Sequence, residues 1–293
     1  MKAIRVYRLH AFQAEGRGGN PAGVVLDADG LTEPQMQQIA AEVGLSETAF
    51  VMRSSHADVK VRFFTPTHEV DLCGHATIAA FSLLFQLGRL ELGQWTQETK
   101  AGNLAVKITE QGVVMAQAAP QFGQQFDANE IAPLLGLQAE QILATGLPLA
   151  VVSTGLSDLM VPIHTPAQLK KIQPDLPAIK AFCKANGMIA FHLFTLTPNE
   201  SQITAMCRNF APAVGIDEES ATGSACGALG AYLSQYGGLR GRFVFEQGRQ
   251  LKSPSILQVT VEQTDQQIEQ VWVGGDCSEA VASPMLVADE LPL

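Results

Sequence analysis

A chain of 293 residues, 46% hydrophobic and 16% charged, is long enough for two ordered domains and holds no tract whose composition resists folding. Its net charge of −10, with 19 Lys+Arg, provides no basic stripe for a phosphate backbone or an anionic membrane surface, so neither nucleic acid nor membrane is expected as a partner. The start, MKAIRVYRLHAFQAEG, lacks the apolar core of a secretion signal, no stretch reaches the roughly 18 apolar residues of a span, and the five cysteines show no regular spacing. A cytoplasmic protein with free thiols is expected.

In chain order, the first strong element is LTEPQMQQIAAEVG (31–44), read as an amphipathic helix. Pro34 lies in its first turn, Thr32 and Gln35 form a capping box, Met36, Ile39, Ala40 and Val43 make the apolar face, and Gly44 ends it. A strand is predicted over 45–52 (LSETAFVM) and another over 61–66 (VRFFTP). Then comes CGHATIAAFSLLFQLG (73–88), apolar or small around nearly its whole circumference, the pattern of a helix buried on all sides. A turn-separated strand pair follows at 104–117.

The same series recurs in the second half. PDLPAIKAFCKANG (174–187) repeats the first helix, MIAFHLFTL (188–196) and MCRNFAP (206–212) repeat the strands, TGSACGALGAYLSQYGG (222–238) repeats the buried helix, and 257–275 repeats the strand pair. Pro34 aligns with Pro177, Gly44 with Gly187 and Arg62 with Arg208. Residues 1–146 and 147–293 are therefore diverged copies of one unit. The expected fold is α+β, with two pseudo-symmetric lobes, each an antiparallel, barrel-like sheet wrapped around a central helix. The lobes are placed at 1–122 and 123–293, with the last residues returning to the first lobe. Both central helices open with Gly, at Gly74 and Gly223, and an open helix N-terminus is a seat for an anion. A small carboxylate held between the two lobes is the expected ligand.

Positions that differ between the copies are candidates for chemistry. Glu47 stands where the second copy has Ala190, and on the predicted strand it shares a face with Leu45, Ala49 and Val51, so its carboxylate should be desolvated. The alternative is a strand-end glutamate that reaches water. His75 stands where the second copy has Ser224, and an imidazole there can carry a proton or simply pack. HEVDLCGH (68–75) offers His68, Glu69, Asp71, Cys73 and His75 as ligands, but its spacing matches no standard zinc pattern, so no metal is expected. Glu219 precedes the second Gly-led helix and could reach the ligand, whereas Asp217 and Glu218 are read as surface acids. Cys73 lies at a helix N-cap, where a thiolate is stabilised; a two-thiol racemase would need a second Cys at 222, which is Thr222.

The order GNPAGVVL (19–26), LSETAFV (45–51), RFFTP (62–66), CGHAT (73–77) and ATGSA (221–225) resembles the PhzF-type phenazine-biosynthesis isomerase family, and does so over nearly the whole chain. The resemblance implies a diaminopimelate epimerase-like fold, a homodimer, and proton transfer without cofactor on a small carboxylate. It places the family's acid/base glutamate on Glu47 and its histidine on His75. The family's Asp-Pro before the ATG segment reads Glu219-Ser220 here, one methylene longer and without the proline's constraint. Catalysis is thus expected from Glu47, His75 and Glu219, and substrate binding from Asn20, Ser46, Gly74, Gly223 and Ser224. Two other outcomes remain open at this point: an epimerase or racemase using the Cys73 thiol, and a non-catalytic binding protein on the same scaffold.

Overall fold

The computed structural model describes residues 2–198, 202–265 and 267–287. It divides into two compact units, one of residues 1–116 and 274–293, the other of residues 117–273.

The first unit begins with β1 (Lys2–Ala11) and β2 (Asn20–Val25), an antiparallel pair. Helix α1 (Glu33–Val43) starts on the predicted capping box and ends at Gly44, whose φ of 66° is the left-handed conformation that glycine adopts without penalty. Its apolar face, Met36, Ile39, Ala40 and Val43, packs with Val25, Phe50 and Phe64. From there the chain crosses to β3 (Thr48–Met52), which runs parallel to β2 and antiparallel to β4 (Val59–Phe64). After the short β5 (Glu69–Val70), helix α2 (Gly74–Gln86) is buried from His75 through Leu84 and packs against β1, β2 and β3. The sheet continues with β6 (Gly93–Thr99), parallel to β4, then antiparallel β7 (Gly102–Thr109) and β8 (Gly112–Ala116), which also cover α2.

The second unit opens with β9 (Gln121–Phe126), two short helical turns α3 (Ala128–Ile131) and α4 (Glu140–Leu143), then β10 (Leu149–Ser153) and β11 (Ser157–Pro162). Helices α5 (Pro166–Lys171) and α6 (Leu176–Ala185) lead to β12 (Ala190–Leu196), which lies parallel to β11 and antiparallel to β13 (Ala205–Ala211). After β14 (Ile216–Glu219), helix α7 (Gly223–Tyr236) is buried from Ala225 to Leu233. Next come β15 (Gly241–Gln247), parallel to β13, then β16 (Ser255–Gln263) and β17 (Ile268–Gly275). Helix α7 packs against β10, β11 and β16. The last strand, β18 (Val281–Val287), belongs to the first unit, where it pairs antiparallel with β1.

The duplication is therefore visible in the pairing itself. In each unit a helix connects two parallel strands twice, β2-α1-β3 and β4-α2-β6 in one, β11-α6-β12 and β13-α7-β15 in the other. These crossovers make each sheet mixed where an antiparallel one was expected, because a strand that returns through a helix arrives in the same direction. The unit boundary also differs from the expected 122/123. Strand β9 pairs with β10, just as β18 pairs with β1, so the last strand of each sequence copy completes the sheet begun by the other copy's first strand. Among the described residues no helix is long and apolar enough to cross a membrane.

Candidate active site

In the first unit the site is built where three segments meet: the bend between α1 and β3, the start of β2, and the first turn of α2. Strand β3 begins at Thr48, so Glu47 is not a strand residue, and the predicted face shared with Leu45, Ala49 and Val51 does not form. Its backbone carbonyl still accepts a hydrogen bond from the Gly23 amide at 3.1 Å, which locks the bend onto β2. Freed from the pleat, the Glu47 side chain is 21% exposed and turns toward α2. One oxygen, Oε2, is buried and lies 3.3 Å from Nε2 of His75, without a well-aligned hydrogen bond.

His75 is 8% exposed and is met on both edges. Ser46 Oγ lies 3.3 Å from Nε2, on the same side as Glu47, and Cys73 Sγ lies 3.4 Å from Nδ1. Burial pulls the imidazole below its ordinary range, while the Glu47 charge and the Pro21 carbonyl push it up; burial prevails, so the ring is neutral at neutral pH. Cys73 occupies the N-cap of α2 but makes no capping bond with its side chain. Asn20, 7% exposed, is the first residue of β2. A Cβ at Gly74 would meet only Met115 Sδ, at 3.9 Å. Packing therefore does not demand glycine at this position.

In the second unit, Glu219 ends β14 and its Oε2 accepts a hydrogen bond from Thr222 Oγ1 at 2.6 Å. Thr222 is the N-cap of α7, yet its hydroxyl serves Glu219 in place of the helix. The clamp on this loop is Gln247, at the end of β15 and 1% exposed. Its Nε2 donates to the Glu219 carbonyl at 2.8 Å and to Thr222 Oγ1 at 3.0 Å, and its Oε1 accepts from the Thr222 amide at 3.3 Å. Nothing in the sequence singles out Gln247, which is separated from Thr222 by a whole helix and a strand. Gly223 and Ser224 form the first turn of α7, and the Ser224 carbonyl accepts from Thr154 Oγ1 at 3.1 Å.

The other candidates fall into structural roles. Glu69 is held by Arg62 at 2.7 Å and Lys100 at 2.6 Å, and His68 bonds within its own turn to Thr65 and Thr67. Glu218 is not a free surface acid: it pairs with the buried Arg208 at 2.8 Å, as Glu69 pairs with Arg62. The shared Arg of the two copies is thus explained by an ion pair in each unit.

Glu47, Cys73 and His75 bring three potential metal ligands within 4.8 Å of one another. However, the thiol faces Nδ1 and the carboxylate faces Nε2. The thiol and the carboxylate thus meet opposite edges of one buried imidazole.

The chain resembles known proteins over nearly its whole length. The PhzC-PhzF family, described as phenazine biosynthesis-like protein, matches residues 9–283. The chain is 37% identical to the isomerase YddE of Escherichia coli K12, over 92% of this chain and 94% of that protein. It is 31% identical to the trans-2,3-dihydro-3-hydroxyanthranilate isomerase of Pseudomonas chlororaphis, over 92% and 94%. The crystal structure of a PhzF-family protein from Bacillus anthracis superposes with a TM-score of 0.87 at 33% identity, covering 98% of this chain and all of that one. A hydroxyproline epimerase from Agrobacterium vitis shares the fold, with a TM-score of 0.62 at 12% identity, over 98% of this chain and 93% of that one.

Proposed function

The chain belongs to the PhzF family and is an isomerase, and from that premise we propose that it moves a proton between carbons of a small carboxylate without a cofactor, with Glu47 as the proton carrier. The observation that supports this most directly is the Glu47 carboxylate, partly open to solvent, held 3.3 Å from a neutral imidazole in the first turn of α2. An ionised Glu47 accepts a proton from an acidic carbon of the ligand, leaving the electron pair delocalised toward the ligand's carboxylate. The same carboxyl group then returns the proton to a different carbon. Neutral His75, 3.3 Å away, adds no positive charge, so Glu47 is not trapped by an ion pair.

The first amides of α2 are suited to an anionic group of the ligand, and Ser46 and Asn20 are assigned to hold it with them. Gly223 and Ser224 are assigned to ligand binding and Glu219 to the catalytic groups, on the strength of the duplication and the family resemblance. A homodimer, implied by the family resemblance, and a cytoplasmic location, expected from the sequence, belong to the same proposal.

The test is isotope exchange in deuterated water, using trans-2,3-dihydro-3-hydroxyanthranilate, the compound in the name of the Pseudomonas relative, beside a panel of small carboxylates. The wild type should incorporate deuterium into carbon positions of at least one compound. Glu47→Gln should lower that rate by about 10²–10⁴-fold, the usual contribution of a positioned acid/base. Undiminished exchange in Glu47→Gln refutes the assignment.

A further inference from the structure

The isomerase assignment leaves the buried Cys73 thiol without a role, and its position supplies one. The neutral His75 ring carries a single N–H. Its Nε2 edge faces Ser46 Oγ and Glu47 Oε2, each at 3.3 Å; a carboxylate oxygen can only accept and a serine hydroxyl can accept as well, so the arrangement that sets no lone pair against another puts the hydrogen on Nε2. Nδ1 is then a lone pair in a nearly water-free site, and a lone pair there needs a donor. Cys73 Sγ, 3.4 Å away, is within donor distance for sulfur, and its S–H can serve. With the opposite tautomer, a ring lone pair would point at the Glu47 oxygen and the thiol would have to accept from Nδ1.

Resting on the acid/base role of Glu47 given above, we propose that Cys73 is a positioning residue that holds His75 in its Nε2–H tautomer, and is not itself the base. The geometry separates the two tasks, because the thiol touches the edge of the imidazole turned away from Glu47. It also accounts for the absence of a thiol at 222. A base pair of cysteines would need one in each copy, whereas a tautomer lock is needed only where there is a histidine, and the second copy has Ser224 in place of His75.

The direct test is the ¹⁵N spectrum of histidine-labelled, ligand-free protein, with the His75 signals identified by their loss in His75→Gln. The wild type should show Nε2 protonated and Nδ1 bare. Cys73→Ser, which keeps a donor, should preserve that tautomer, and Cys73→Ala should populate the Nδ1–H form. An Nδ1–H ring in the wild type, or a tautomer unmoved in Cys73→Ala, overturns the proposal whatever the substrate proves to be.

In the exchange assay Cys73→Ser should remain active. Cys73→Ala should lose about fivefold in kcat with KM unchanged, the equivalent of one neutral hydrogen bond. If both Cys73 variants lose exchange while Glu47→Gln keeps it, the thiol is the base and both assignments fall. If Glu47→Gln loses exchange but Cys73→Ala leaves the tautomer in place, only the tautomer lock falls.

Discussion

Replacing Asp158 by Asn should make the protein more stable, and increasingly so as the pH rises from 5 to 7. Asp158 lies on β11 and is 2% exposed; its Oδ1 has no hydrogen-bond partner, and burial lifts its carboxyl from 3.8 to about 7 although nearby His192 pulls the other way. A raised carboxyl means that between those values the folded state binds more protons than the unfolded one, so the group favours folding at low pH and loses that contribution as the pH rises. Each pH unit within the window is worth about 1.36 kcal/mol. From pH 5 to pH 7 the penalty of ionising Asp158 therefore grows by up to about 2.7 kcal/mol and levels off beyond, whereas Asn pays none of it.

His75 has the opposite sense, since its folded value lies below 6.5 and it withdraws support as the pH falls. It is common to both proteins and cancels in the difference. The assay is urea unfolding at several pH values in a Trp95→Phe background, where Trp272 is the one remaining tryptophan and reports on the second unit. A stability difference that is flat from pH 5 to 7, or that grows toward acid, would show that Asp158 is ionised in the folded protein.

Gly74→Ala should leave the melting temperature nearly unchanged, because its new methyl meets only Met115 Sδ at 3.9 Å, while weakening the thermal shift produced by carboxylate ligands. Gly230→Ala on α7 is the contrasting case: its Cβ would fall 2.6 Å from Val259 Cγ1, so calorimetry should show a loss of about 1–3 kcal/mol despite the better helix propensity of alanine. Gln247→Leu removes the clamp on the half-buried Glu219 and Thr222, taking away three of the loop's hydrogen bonds. It should cost about 1–3 kcal/mol, read from Trp272 in urea, and an unchanged midpoint would deny the clamp its role.

What the sequence determined by itself is what short-range chemistry decides. The helices at α1, α2, α6 and α7 were legible because capping, a terminal glycine and apolar periodicity act within a few residues, and the duplication because both copies keep that local code. Comparing the copies also singled out Glu47 and His75, which the structure brings to 3.3 Å.

Tertiary structure alone decided the rest. Whether Glu47 lies in a strand depends on where β3 begins to pair with β4, and that register starts one residue later, at Thr48. The exchange of last strands between the copies, the Gln247 clamp and the approach of Cys73 to Nδ1 all depend on contacts between segments far apart in the chain or on the rotamer a packed ring adopts. No local pattern encodes them, because a strand's partner and a side chain's direction are set by what the rest of the chain packs around them.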